Sequence, residues 1–336
     1  MRVSQTVSRA LTTFALAMLA GCSSAAQVGP TQPGAGNQLE DVLAFGRPKP
    51  VAPPATHSFF DPNAEGKPLI FVSDTNKSVI NIYLQGNGNP QVGQIVGDLY
   101  APIGLTTDSA RNVYVTNANG GTVVVFEPPY TRIPKLTLDD VGNSPRAVAV
   151  SKSGLVAVGN FSANATVSFY KRNDSKPCAT VSDYSFGGVA HDVFDDRGNL
   201  YIDGENGSGF VVGRIRGGCH PTAVEMLSTG NVIGNYPADI KINKRDQIAI
   251  EDSKALAIYT YNPPRKGSLG NPVATTPLTG INYPYAFAFV ASGRSLYASD
   301  YVYGPTNEYA YPAGGSAEDT IPVATQGVAV TPPLVP

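Results

Sequence analysis

Only three histidines occur in this 336-residue chain, and one of them, His191, is followed directly by Asp192. An imidazole beside a carboxylate can act as a general base or a metal ligand. The pair lies in a segment that reads as a strand, where consecutive side chains point to opposite faces, so adjacency alone does not make a dyad. Arg146, Tyr285 and Gln326 fall at the matching place in other repeats and carry the groups that would hold an anionic or sugar-like ligand. With His191 they are the candidate ligand-binding residues; the competing account is channel-lining polarity satisfied by hydrogen bonds and water. Asp192 and Asp239 are the weaker candidates for a divalent cation, which needs several oxygen ligands. Asp74, Asn117, Asn160, Asp252 and Asp300 recur about once per repeat. That regularity reads as turn capping through backbone N–H groups. The run Asp203-Gly-Glu-Asn-Gly-Ser-Gly209 lacks the spacing and terminal Glu of a calcium loop. No Gly-x-Ser-x-Gly elbow, phosphate-binding glycine loop or His-Glu-x-x-His run is present, so no catalytic residue and no cofactor are assigned.

The elements that must position these residues are repeats. A turn residue and a short apolar strand begin at Pro102, Pro145, Ala190, Pro237, Pro284 and Thr325, about 41–47 residues apart. The residues one place further on, Ile103, Arg146, His191, Ala238, Tyr285 and Gln326, would ring one mouth of a central channel. None is Asp, Glu or Asn, and a period of two turns Asp192 and Asp239 off the lining, although a register shift of one residue would bring them in. A second strand follows each anchor (Val113-Tyr-Val, Leu155-Val-Ala-Val, Leu200-Tyr-Ile), and a third ends in an aromatic (Tyr83, Phe126, Tyr170, Tyr261, Tyr311). A weaker fourth, such as Lys135-Leu-Thr-Leu or Ala179-Thr-Val, completes each unit. Such a period is the mark of a propeller or array. The first unit, from Leu69, lacks a first strand, and the last segment, Gln326 to Thr331, is a first strand with nothing after it. The expectation is an all-β, six-bladed β-propeller of four-stranded antiparallel blades, with the C-terminal strand closing the ring onto the first blade and protecting its edges.

The pattern of Pro-x-Gly/Ala-hydrophobic, Gly-Asn-hydrophobic-Tyr-Val, Asp/Asn-x-x-Asn and Val-x-Val-Tyr/Phe, clearest from Pro102 to Phe126, resembles the NHL-repeat and gluconolactonase-like propellers over residues 67–331. In the metal-dependent lactonases of that superfamily, acidic and Asn side chains at the mouth hold a divalent cation. The resemblance therefore implies an alternative to a binding scaffold, a metal-dependent lactonase or hydrolase. A virginiamycin B lyase-like enzyme ranks lower, because those propellers usually have seven blades. A fold hosts many functions, and the mouth residues favour a non-enzymatic scaffold that binds a protein, glycan or small ligand.

Residues 1–21 have a positive start (Arg2, Arg9), an apolar run too short to span a bilayer, and an end at Leu19-Ala20-Gly21 before Cys22. This resembles a bacterial lipoprotein signal with Cys22 as the lipidated residue. Ser23 and Ser24 follow it in place of Asp, which implies the outer membrane in a Gram-negative cell. Several acyl chains on one residue anchor stably. Residues 22–66 read as a Pro/Gly-rich tether of about 35 Å reach, and 332–336 as a tail. Gly at 35, Pro at 28 and only 15 % charged residues suit many short strands and turns. A net charge of −2 excludes an ordinary nucleic-acid binder, and a monomer is expected. Cys178 and Cys219 hold similar places in consecutive repeats. The envelope would permit a disulfide, and the distance between outer strands would oppose it.

Overall fold

The computed structural model describes residues 57–334, apart from 141–142, 163–164, 231–232, 234–235, 302–303 and 324. The stretch read as a signal sequence, Cys22 and most of the stretch read as a tether lie outside the described residues. Among the described residues no helix is long and apolar enough to cross a membrane.

Six sheets of four antiparallel strands follow one another around a ring, with a two-residue parallel strand, Gly315–Ser316, added at the rim of the fifth. Blade 2 is Pro102–Thr107, Val113–Asn117, Thr122–Phe126 and Leu136–Asp139, from the channel outward. Blade 3 is Pro145–Val150, Val156–Asn160, Thr166–Tyr170 and Ala179–Ser182. Blade 4 is Gly188–Phe194, Leu200–Asn206, Gly209–Ile215 and Glu225–Leu227. Blade 5 is Pro237–Ile242, Ile248–Asp252, Ala257–Tyr261 and Ala274–Thr279. Blade 6 is Pro284–Phe289, Ser295–Asp300, Thr306–Ala310 and Asp319–Ile321. Blade 1 is composite: Val328–Thr331 is its innermost strand and pairs Val328 with Val72 and Thr331 with Leu69. Leu69–Asp74, Val79–Leu84 and Gln91–Val96 complete it. The first and last repeat segments therefore meet in one sheet, as their missing strands require.

The folded body begins earlier than Lys67. Phe59–Phe60 pairs with Gln94 and Gly93 as a fifth strand at the rim of blade 1, and Ala64 is buried in the same core. The Pro-rich composition of this stretch hides a short strand that an edge tolerates.

Middle strands are buried along their whole length, as in Leu69–Asp74 and Val156–Asn160, because each blade is sandwiched between two others and both of its faces are covered. The core is thus a series of slabs between blades. Between blades 1 and 2, Phe71, Ile82, Leu105, Val115 and Phe126 pack together, with Tyr130 edge-on to Phe71 at 5.0 Å between ring centres. The recurring Asp and Asn cap turns. Asp252 accepts from the N–H groups of Lys254 and Ala255, and Asp300 from those of Asn282 and Tyr283.

Cys178 and Cys219 are joined in a disulfide with Cα atoms 5.4 Å apart. Cys219 is not in the outer strand of blade 4 but in the loop before it, which carries it across to blade 3. The bond closes a 41-residue separation, so loop entropy assigns it roughly 4 kcal/mol at most. Replacing both cysteines with Ser is expected to lower the unfolding free energy by about 2–4 kcal/mol, measured by urea denaturation, with the far-ultraviolet spectrum unchanged. Equal stability of variant and wild type would show that the bond constrains nothing the ring does not already constrain.

Candidate functional site

Each inner strand of blades 3 to 6 carries a β-bulge near its start, where one residue stands out of the pairing. The register steps from Pro145 opposite Asn160 to Ala147 opposite Gly159, from Pro237 opposite Asp252 to Asp239 opposite Glu251, and from Pro284 opposite Asp300 to Ala286 opposite Ser299. Arg146, Ala238 and Tyr285 are the bulged residues. Blade 4 departs from its sequence alignment: Val189 pairs with Gly204 and His191 with Asp203, so its bulge is Ala190 and His191 corresponds to Asp239. Blade 4 lacks both markers used for alignment, the Pro and the polar strand end, and the repeat slides by one residue. A bulge re-aims the side chains around it, so strict alternation from the strand start does not hold.

The structure brings Arg146, His191, Tyr285 and Gln326 together at one end of the channel, with Asp192, Asp239 and Lys241 below them. All four candidates are buried, and the space among them is about 20 Å³, room for about one water molecule. Arg146 stacks its guanidinium 4.4 Å from the Phe161 ring centre and 6.0 Å from that of Tyr285. His191 meets Tyr285 edge-on at 5.4 Å, and Gln326 accepts a hydrogen bond from Thr75 at 3.1 Å. This end of the channel is a plug. Aromatic rings lead outward from it: Tyr285 lies 4.7 Å from Tyr301, and Tyr301 6.4 Å from Tyr283. Tyr100, Tyr184, Tyr236 and Tyr283 sit on the loops that lead into inner strands, and Tyr100 and Tyr184 are 61 % and 81 % exposed. Guanidinium stacking on rings is worth about 0.5–2 kcal/mol per contact.

Beneath the plug lies a group that the sequence reading only partly identified. His191 Nδ1 is 3.0 Å from Asp203 Oδ1, so its carboxylate partner is Asp203 across the strand pair and not its neighbour Asp192. Asp203 and Glu251 occupy one repeat position, the residue before the capped strand end. In other blades that position holds Ser73, Thr116, Gly159 and Ser299, and the hydroxyls stitch strands together. Ser73 donates to Ile103 O at 3.0 Å and accepts from Gly327 N at 2.7 Å. Thr116 accepts from Gly104 N at 2.7 Å, and Ser299 from Ala286 N at 3.1 Å. Comparing that position across repeats is the sequence signal that would have found Asp203 and Glu251.

Asp239 is fully engaged. Its Oδ1 accepts from Lys241 Nζ at 2.6 Å and from Ile240 N, and its Oδ2 from Phe287 N at 2.9 Å. Neither oxygen of Asp192 nor of Glu251 has a hydrogen-bond partner among the described residues. Asp192 stands where the other inner strands carry Leu105, Val148, Ile240, Phe287 and Val328. Burial holds the pKa values of Asp192 and Glu251 well above the ordinary carboxylate range, with Lys241 pulling both down and Asp239 pushing both up. Burial also raises Asp203, against the pull of His191. The His191–Asp203 contact fixes the imidazole through Nδ1 and leaves Nε2 without a hydrogen-bond partner among the described residues. Among the described residues no three His, Cys, Asp or Glu side chains are arranged to hold a metal ion.

An acid whose folded pKa lies above its unfolded value holds its proton more tightly when folded, so its contribution to stability falls as pH rises above the unfolded value. Urea denaturation from pH 5 to pH 8 should show stability falling by up to about 1.4 kcal/mol per pH unit for each such group. Glu251→Gln should flatten that slope. An identical slope in the two proteins would place the Glu251 titration in its ordinary range.

No known family profile matches the chain, and no curated protein matches it either. Solved structures do. A chain from a nidogen/laminin complex aligns with a TM-score of 0.63 at 17 % identity, covering 80 % of this chain and all of that one. A protein of unknown function from Bacteroides caccae aligns at 0.59 and 9 %, covering 79 % of this chain and 99 % of its own. A functionally unknown protein from Desulfotomaculum acetoxidans aligns at 0.54 and 13 %, covering 80 % of this chain and all of its own. At these identities the likeness is one of fold, a β-propeller ring shared end to end.

Proposed function

We propose that the chain is a non-catalytic binding propeller, held at the cell envelope by lipid on Cys22, that engages a protein or glycan through its tyrosine-rich face. The observation that carries this reading is the placement of Tyr100, Tyr184 and Tyr283, all exposed, on three separate loops around the plugged mouth. Tyrosine presents a large, stiff, amphipathic surface at little entropic cost and is enriched where proteins recognise one another or sugars. Arg146, His191, Tyr285 and Gln326 then support that face from beneath. A Gram-negative source would put the protein at the outer membrane, with residues 22–56 as most of its leash.

A metal-dependent lactonase is the second reading, and the partnerless carboxylate of Asp192 below His191 is what favours it. A divalent cation retained stoichiometrically after dialysis, together with lactone hydrolysis, would establish that reading in place of the first.

Two measurements test the first. In a bacterial host, labelled palmitate should enter the full chain and co-sediment with membranes, and Cys22→Ser should abolish both. Immobilised full-length protein should capture envelope polysaccharide or a purified envelope protein. The triple change Tyr100→Ala, Tyr184→Ala, Tyr283→Ala should weaken that capture at least tenfold with the melting temperature within about 2 °C of wild type. Capture unaffected by the triple change would remove the tyrosine face from the function. Arg146→Ala should instead lower the melting temperature, because it unpacks two rings.

A further inference from the structure

The channel is not sealed at its other end. Beyond Asp192 and Lys241 it widens into a cavity of about 500 Å³ that opens where the inner strands finish, on the face opposite the tyrosines. We infer that this blind channel is a binding site for an organic cation, a protonated amine on a slender apolar body, with its ammonium seated on Asp192.

Three observations converge on that chemistry. The first is the floor. Asp192 is only 4 % exposed, lines both the cavity and the plug, and has no hydrogen-bond partner on either oxygen among the described residues. A buried carboxylate without a partner is costly unless a donor meets it, and its five counterparts around the ring are apolar. The second is charge. Asp239 lines the plug beside Asp192, Asp203 is close enough to act on Asp192 electrostatically, and the ammonium of Lys241 at the floor is taken up by Asp239 at 2.6 Å. A cation entering this cluster finds acid in excess. The third is the wall. Phe194, Ile242, Phe289 and Val330 line the cavity and offer an apolar sleeve to the body of the ligand. At the rim Lys152 is neutralised by Asp196 at 2.5 Å and Lys135 by Glu127 at 2.9 Å, and Arg172 shares the rim with Asp108 and Asp195. Small-molecule sites have this form, a largely apolar concavity of about 300–1,000 Å³ with a few convergent polar groups.

The inference does not rest on the tyrosine face, and its test separates the two. Full-length protein is titrated by calorimetry with hexylammonium, hexanol and hexanoate, three probes of nearly equal shape. Hexylammonium should bind at least ten times more tightly than hexanol, and hexanoate more weakly than either. Asp192→Asn should bring hexylammonium down to the level of hexanol, while the triple tyrosine variant should bind it as wild type does. Should Asp192→Asn fail to fold, the carbon-13 signal of the Asp192 carboxyl in wild type decides. It should move on addition of hexylammonium and stay in place with hexanol. Equal affinity for hexanol and hexylammonium, tighter binding of hexanoate, or an unmoved Asp192 signal would overturn the site.

Discussion

Six inner strands must converge on one axis, and everything near that axis is governed by how closely each blade can approach the next. At Gly104 and Gly327 there is no room for a side chain: a Cβ on either would strike the carbonyl oxygen of a bulged residue in the following blade, Arg146 or Ile103. Hydroxyls on the neighbouring strands, Ser73 and Thr116, fill the remaining hydrogen bonds at these seams. Glycine and a short hydroxyl are the residues that permit the closest contact, since they satisfy backbone groups without bringing charge into a dry seam. On this side the ring is tight and its polarity is balanced.

Blades 4 and 5 break the pattern at the same positions. His191 and Asp239 stand where Gly104 and Gly327 stand, and Asp203 and Glu251 replace the hydroxyls. Four ionisable side chains therefore occupy seams that two glycines and two hydroxyls satisfy elsewhere. They are only partly compensated, by the His191–Asp203 and Lys241–Asp239 contacts. The carboxyl oxygens of Glu251, and those of Asp192 in blade 4, have no hydrogen-bond partner among the described residues. Stability alone would favour the hydroxyl solution already used three times in the ring, because an unpaired buried carboxyl lowers stability and a serine does not. A cluster of ionisable groups that the repeat does not require is where a functional site is sought first.

Much of this was legible in the sequence. The unpaired repeats at Leu69 and at Gln326 to Thr331 required ring closure, and the ladder between Val72 and Val328 supplies it. The gathering of Arg146, Tyr285 and Gln326 also followed from counting one residue past each anchor, whereas His191 joins them from the next position, because blade 4 is shifted by one residue. What counting could not deliver was the bulge. Strict alternation assigns Asp192 and Asp239 to the wrong side, because it assumes that every residue of the inner strand is paired, and an unpaired residue resets the alternation. Nor could sequence spacing decide the disulfide. Cys219 reaches blade 3 because it lies on a loop, and loop reach is not encoded in strand periodicity.

The two ends of the channel differ in kind, and the difference constrains any function assigned to the ring. At one end, arginine and tyrosine are packed so closely that only about 20 Å³ is left between them. At the other, about 500 Å³ opens to solvent. A ligand cannot thread from one face to the other without unpacking Arg146 from Phe161 and Tyr285. Groups under the plug are therefore reached from the open end alone, past Asp192 and Lys241. The tyrosine face, by the same geometry, can recognise only what stays on its surface. One ring then carries two independent opportunities for recognition: a broad aromatic surface suited to a macromolecule, and a narrow acidic-floored cavity suited to a small cation. The plug between them keeps each from competing with the other.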